Sequence, residues 1–182
     1  MLRINIPSGD IWDEQNQEFL YSEGKTILLE HSLVSLAKWE SRWKKPFFSK
    51  TPKTRAESID YIRCMTLTPN VDKKIYGTLT QASIDIVNQY IADPMTATTF
   101  SDGGKTNHPS RETVTAELIY YWMTALQIPF ECQNWHLNRL LTLIRVCNIK
   151  NQPKKKKGTS RDSLSQRARL NRERKARLGT TG

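Results

Sequence analysis

The chain has 182 residues, and its 28 Lys and Arg against 18 Asp and Glu give a formal net charge of +10 and a pI near 9.7. The excess is local: over 151–182, eleven basic residues (Lys154, Lys155, Lys156, Lys157, Arg161, Arg167, Arg169, Arg172, Arg174, Lys175, Arg177) stand against Asp162 and Glu173, a net of +9, which leaves the first 150 residues at +1. The expected organisation is therefore a near-neutral domain over 1–150, large enough to build a core without staples, and a basic linker and tail over 151–182, not a multidomain enzyme. A membrane span is excluded too, because no run approaches the roughly 18 to 20 consecutive apolar residues one needs.

In chain order, Leu2-Arg3-Ile4-Asn5-Ile6 alternates apolar and polar residues and stops at Pro7, Ser8 and Gly9, the pattern of a short half-buried strand. Further short strands are expected over 18–21 and, after Gly24, over 25–30, making a small hairpin or meander that pairs within the chain or between chains. Leu33, Leu36, Ala37, Trp39 and Trp43 then follow Ser32 at helical offsets, predicting a helix over 32–44 that ends before Pro46. Thr54-Arg55-Ala56-Glu57 has the form of a capping box and predicts a helix over 55–65. A third begins at Thr80, with Ile84, Val87 and Ile91 on one face, and stops at Asp93-Pro94.

Residues 94–109 carry no periodicity and read as a long surface loop. Pro109-Ser110 is expected to open a long amphipathic helix with Leu118, Ile119, Trp122, Met123 and Leu126 as its stripe, broken at Pro129. A last core helix is expected over 132–149, apolar around much of its circumference. The tail segment 163–178 favours helix by its Arg, Glu, Lys and Ala content but offers little to pack, so it is expected to be disordered or marginally helical when free. The expected fold is thus mainly α: a compact bundle of about five helices, a small N-terminal hairpin and a basic, partly helical tail.

Candidate chemistry is sparse. Gly103-Gly104-Lys105-Thr106 lacks the upstream Gly, the preceding strand and the following helix of a phosphate-binding loop, and reads as a loop tip. Cys132 and His136 are four apart on an expected helix, but no second ligand pair accompanies them, so no metal is expected. Three widely spaced cysteines make a poor disulfide framework and suit a reducing compartment. No Ser lies in a Gly-x-Ser-x-Gly elbow, and no carboxylate set accompanies His136, Asn138 and Arg139. A non-enzymatic protein without cofactor is expected. The five tryptophans are explained by packing or as partner anchors, and Trp39 and Trp43, flanked by Lys38, Arg42, Lys44 and Lys45, are the pair expected to be partly exposed.

Several blocks resemble the tail assembly chaperones of long-tailed bacteriophages, encoded ahead of the tape measure protein. They are Ser35-Leu36-Ala37-Lys38-Trp39-Glu40-Ser41 with Trp43, Lys45 and Pro46; Asp60-Tyr61-Ile62 with Met65-Thr66; Pro94-Met95-Thr96-Ala97-Thr98-Thr99-Phe100; Thr115-Ala116-Glu117-Leu118-Ile119-Tyr120-Tyr121-Trp122-Met123 on through Trp135-His136-Leu137-Asn138-Arg139-Leu140-Leu141 to Asn148; and the basic ending from Arg174. The resemblance implies a small helical protein of the host cytoplasm that binds the tape measure protein, keeps its apolar helices from aggregating and helps recruit tail tube subunits. It also implies a longer frameshifted product, for which the codons of Lys154 to Lys157 are a candidate slippery site. The partner-binding residues proposed on this reading are Trp39, Trp43, Trp122, Trp135 and Arg139.

The tail departs from that reading, because a chaperone that dissociates has no evident need of a +9 arm. Lys154, Lys155, Lys156, Lys157, Arg167, Arg169, Arg172, Arg174, Lys175 and Arg177 are candidate contacts to nucleic acid or an acidic partner, salt-dependent and sequence-independent, and without an aromatic residue for base stacking. The alternatives are accordingly a virion or head–tail structural protein that keeps its arm in the particle, and, third, a nucleic-acid-binding protein.

Overall fold

The computed structural model describes residues 1–13, 17–100, 113–151 and 160–179, in two compact units, Met1–Lys150 and Asn151–Gly182. The first unit opens with two antiparallel strands, β1 (Leu2–Asp13) and β2 (Glu18–Leu29), in register from Leu2↔Leu29 to Asp13↔Glu18. The strands therefore pair within the chain, and each is 12 residues long where short pieces were expected. Pro7 does not end β1: a two-stranded ribbon has an open edge on each strand, where a missing N–H is tolerated. Nor does Gly24 separate two strands. It sits inside β2 at φ +71, and a Cβ there would lie 2.6 Å from the backbone N of Ser8, so only glycine permits the close cross-strand approach.

Among the described residues, four helices follow in this unit before the last one: α1 (Leu33–Trp43), α2 (Arg55–Met65), α3 (Gln81–Ala92) and α4 (Ala116–Ala125), with a 3-10 turn at Lys73–Tyr76 that the sequence pattern did not announce. The caps work as their residue types require. Ser32 accepts from the Ser35 amide while Ser35 Oγ takes the Ser32 amide, and Thr54 and Glu57 make the same reciprocal pair for α2. Thr80 caps α3, and Lys44 closes α1 in the left-handed conformation.

The expected start of α4 near Pro109 is corrected: residues 113–115 are not helical, and the helix begins at Ala116. The cause is a residue 76 positions away. Glu40, buried on α1, accepts the Ala116 amide on Oε2 at 2.7 Å and the Phe47 amide on Oε1 at 2.6 Å. Thr115 caps the same turn through the Leu118 amide. One carboxylate thus satisfies a free N–H at the start of α4 and fixes the chain as it leaves α1.

The last helix of this unit, α5 (Leu137–Asn151), begins five residues later than expected. Phe130–Asn134 forms a 3-10 turn instead, and the chain is then drawn out by the bond from the Leu137 amide to the His31 carbonyl at 2.7 Å. Cys132 and His136 consequently do not share a helix face. The core is one cluster: Ile4, Ile6, Ile27 and Leu29 from the ribbon, Leu33, Leu36 and Trp39 from α1, Tyr61, Ile62 and Met65 from α2, Ile84 and Val87 from α3, Ile119 and Met123 from α4, and Leu137, Leu140 and Ile144 from α5. The second unit contains α6 (Ser160–Leu178), and its described side chains are exposed along the whole helix. The fold is mainly helical with an N-terminal hairpin, and the described residues form six α-helices where about five and a partly helical tail were expected. Residues 103–106 and 154–157 lie outside the described residues.

Removing the Glu40 carboxylate leaves two amide donors short of their acceptor. Glu40→Ala is expected to cost about 3–5 kcal/mol in urea denaturation followed by circular dichroism, and Glu40→Gln, which keeps one acceptor oxygen, about half of that. Equal, sub-kcal losses in both variants would show that water replaces the carboxylate.

Candidate protein-interaction surfaces

Trp39 and Trp43 lie four apart on α1, and their rings stack with centroids 6.3 Å apart. Both turn inward to α2. Trp39 is 1% exposed and its Nε1 donates to the Glu57 carbonyl at 2.9 Å, while the half-buried Trp43 donates to Asp60 Oδ2 at 2.9 Å. Asp60 also holds Arg42 and, at 3.1 Å, Arg63. The expectation that this pair is partly exposed is therefore corrected for Trp39, which is a core residue: an indole N–H reaching a helix carbonyl can be buried without loss. The Lys45 ammonium, 2.7 Å from Glu57, holds that carboxyl below its usual range, aided by the Thr54 amide.

The other predicted group lies on α4, the turn after it and α5. Trp122 is half-buried against the core. Trp135 is half-buried as well, and the exposed Arg139, in the first turn of α5, lays its guanidinium 4.2 Å from the Trp135 ring centroid. The structure thus joins Trp39 with Trp43 and Trp135 with Arg139. The same stretch of chain also exposes rings that sequence reasoning passed over. Tyr121 is 65% exposed and Phe130 57%, and Phe130 stacks on Tyr120, whose hydroxyl donates to Gln133 at 2.9 Å.

The ribbon carries a third group, also unannounced by the sequence pattern. Ile4, Ile6, Ile27 and Leu29 occupy the core face of its base, and the same face continues outward to Trp12, Phe19 and Tyr21. Trp12 meets its cross-strand partner Phe19 edge-on at 4.9 Å, yet they remain 48% and 70% exposed, and Tyr21 is 65% exposed. The available signal was the alternation of Phe19 and Tyr21 in a run expected to be strand. On α6, Arg167, Arg169, Arg172, Arg174, Lys175 and Arg177 are all exposed, and Arg169 is paired with Glu173 at 3.1 Å.

Beneath these surfaces lies a buried polar cluster from the junction of β2, α1, α2, α3 and α5. His31 Nδ1 is hydrogen-bonded to the Tyr61 hydroxyl at 2.6 Å, the His31 and His136 rings meet edge-on at 5.1 Å, and the Tyr90 hydroxyl donates to Glu30 at 2.8 Å. His136 Nε2 lies 3.1 Å from the Tyr90 carbonyl, which can only accept, so Nε2 carries the hydrogen. Its Nδ1 is buried and meets no hydrogen-bond partner. Burial, assisted by the neighbouring His136, lowers the His31 imidazole from 6.5 to about 3, and burial raises the Tyr61 and Tyr90 phenols. The cluster is buried where these elements meet, and its hydrogen bonds tie them together.

Among the described residues, no group of three His, Cys, Asp or Glu side chains is placed to hold a metal ion, and no helix is long and apolar enough to cross a membrane. All three cysteines are free, Cys64 and Cys132 buried and Cys147 partly so. A cleft of about 420 Å³ where the ribbon meets the first 3-10 turn is lined by Tyr21, Glu23, Lys25, Asn70, Asp72 and Lys74, mixed in sign and without a nucleophile set against a base. No protein-family model, curated protein or solved structure matches the chain.

His31 gives the body an acid sensitivity whose sign is fixed. Its folded pKa lies below the unfolded value, so the unfolded chain alone takes up a proton below pH 6.5; stability is full above that pH and falls as pH drops toward 3. The expected loss between pH 7 and pH 5, before most carboxylates titrate, is about 2 kcal/mol. Urea midpoints across that range should move accordingly, and His31→Gln should flatten the profile; an unchanged profile in the variant would assign the slope elsewhere.

Proposed function

We propose that the chain is a non-enzymatic assembly chaperone of a bacteriophage tail, which binds the tape measure protein in the host cytoplasm and aids assembly of the tail tube around it. The similarity of the blocks around Trp39, Asp60, Met95 and above all 115–148 supports this reading, and the observation that carries it is where the last block falls. That block builds α4, the 3-10 turn Phe130–Asn134 and α5, and it presents Tyr121, Phe130 and the Trp135–Arg139 stack while burying Ile119, Met123, Leu137 and Leu140. Exposed rings fixed on helices fit the apolar faces of a helical client, where a ring covers much area at little entropic loss. A cationic Arg139 over the Trp135 ring adds register against an acidic client position.

On this reading Trp122, Trp135 and Arg139 belong to the client surface with Tyr121 and Phe130, and Trp43, turned to Asp60 on α2, lies apart from it. Trp39 acts only through the packing of α1 on α2. Tyr121 and Phe130 are the side chains to change, because both are more than half exposed and their loss leaves the core intact. Co-expressed wild-type chain is expected to keep the tape measure protein soluble, and Tyr121→Ser/Phe130→Ser to lower the soluble client at least threefold at equal chaperone levels. A client equally soluble with and without the wild-type chain would overturn the proposal.

A further inference from the structure

The distal ribbon and α6 are complementary in charge, chemistry and length. From Ser8 to Gly24 the sequence has five acidic residues (Asp10, Asp13, Glu14, Glu18, Glu23) and no basic one. Every described side chain from Pro7 to Glu23 is exposed, and Trp12, Phe19 and Tyr21 share one face with Asp10 and Glu23. A two-stranded ribbon with rings on an open face is marginal in water unless something covers it.

On α6, Leu164, Arg167, Leu170, Arg174 and Leu178 follow one another at intervals of three, three, four and four, which places them on one stripe about 120° wide. The three leucines are 62%, 49% and 71% exposed, on a helix whose other residues, apart from Ala168 and Ala176, are charged or polar. An alternating Leu–Arg stripe is what an acidic aromatic face accommodates: leucines cover rings, and guanidinium groups reach carboxylates or lie over ring faces. The lengths agree as well. Leu164 to Leu178 spans about 21 Å of helix, and Ser8 to Asp13 spans about 17 Å of strand.

We propose that the distal ribbon of one molecule is the docking site for α6 of a second copy of this chain, the two copies exchanging these helices reciprocally. The exchange is symmetric, so each dimer gains the contact twice, and the second contact forms at high effective concentration. The association is stabilised by rings and leucines and strengthened by exposed charges, so it weakens with salt. It concerns the oligomeric state and stands apart from the client surface on α4 and α5.

The test is sedimentation equilibrium of the full-length, nuclease-treated protein at 50 and 500 mM NaCl. The expected result is a dimer at low salt whose dissociation constant rises at least tenfold at high salt. Trp12→Ser/Phe19→Ser, Asp10→Lys/Glu23→Lys and Arg167→Glu/Arg174→Glu all change exposed side chains; each should weaken association at least tenfold with an unchanged circular dichroism spectrum. Mixing the two charge-reversed variants restores both complementary contacts and should yield a heterodimer. The proposal is overturned by a wild-type monomer at 100 μM and low salt, by association that ends on nuclease treatment, by a dimer indifferent to the substitutions, or by failure of the charge-reversed variants to pair.

Discussion

The carboxylate of Glu40 is the constraint on which the helical body depends. Its two oxygens take amides from two segments that follow it in sequence, one at Phe47, seven residues on, and one at Ala116, 76 residues on, and both contacts are buried. No other single side chain among the described residues links α1, the chain that leaves it and the start of α4. Because the acceptor is charged and the donors are backbone amides, the arrangement resists sliding: a shift of α4 by one residue would leave a carboxylate oxygen and an amide without partners in the interior. The register of α4 decides in turn which rings of Tyr120, Tyr121 and Trp122 point outward.

A second layer of polar specificity sits on the other sides of α1. The indoles of Trp39 and Trp43 donate to Glu57 and Asp60 on α2, and Glu57 is itself held by its capping box and by Lys45. The His31, Tyr61, His136 and Tyr90 cluster joins β2 to α2, α3 and α5. Each of these groups sits at a junction of elements, and Trp39, Glu57, His31, Tyr61, His136 and Tyr90 are buried there, where apolar packing would fix distance but not rotation. The polar groups at these junctions thus set the alignment of the helices, while Tyr121, Phe130, Trp12, Phe19 and Tyr21 are exposed.

The parts of this fold that were legible in the sequence are those set by local chemistry. Ser32, Thr54 with Glu57, and Thr80 each name a helix start because a hydroxyl and an amide three residues on must find each other. Partition of the charge separated the tail from the body, and the two compact units divide at the same place. What was not legible depends on distant partners. The beginning of α4 is decided by Glu40, the delayed start of α5 by the His31 carbonyl, and the burial of Trp39 by a carbonyl on α2. The hairpin was legible but its length was not, for a related reason: Pro7 and Gly24 are ordinary breakers, and only their apposition across two strands turns them into a close crossing.

The functional reading rests on the helical body being rigid where α4 meets α1, since rings on a shifting helix could not present a fixed surface. Native-state hydrogen exchange at the Phe47 and Ala116 amides tests this most directly. If Glu40 holds the body together, both amides exchange only through global unfolding, with the same protection as the core amides of Leu36 and Leu140. Exchange at those two positions as fast as in the irregular segment 95–100, while Leu36 and Leu140 stay protected, would contradict the account.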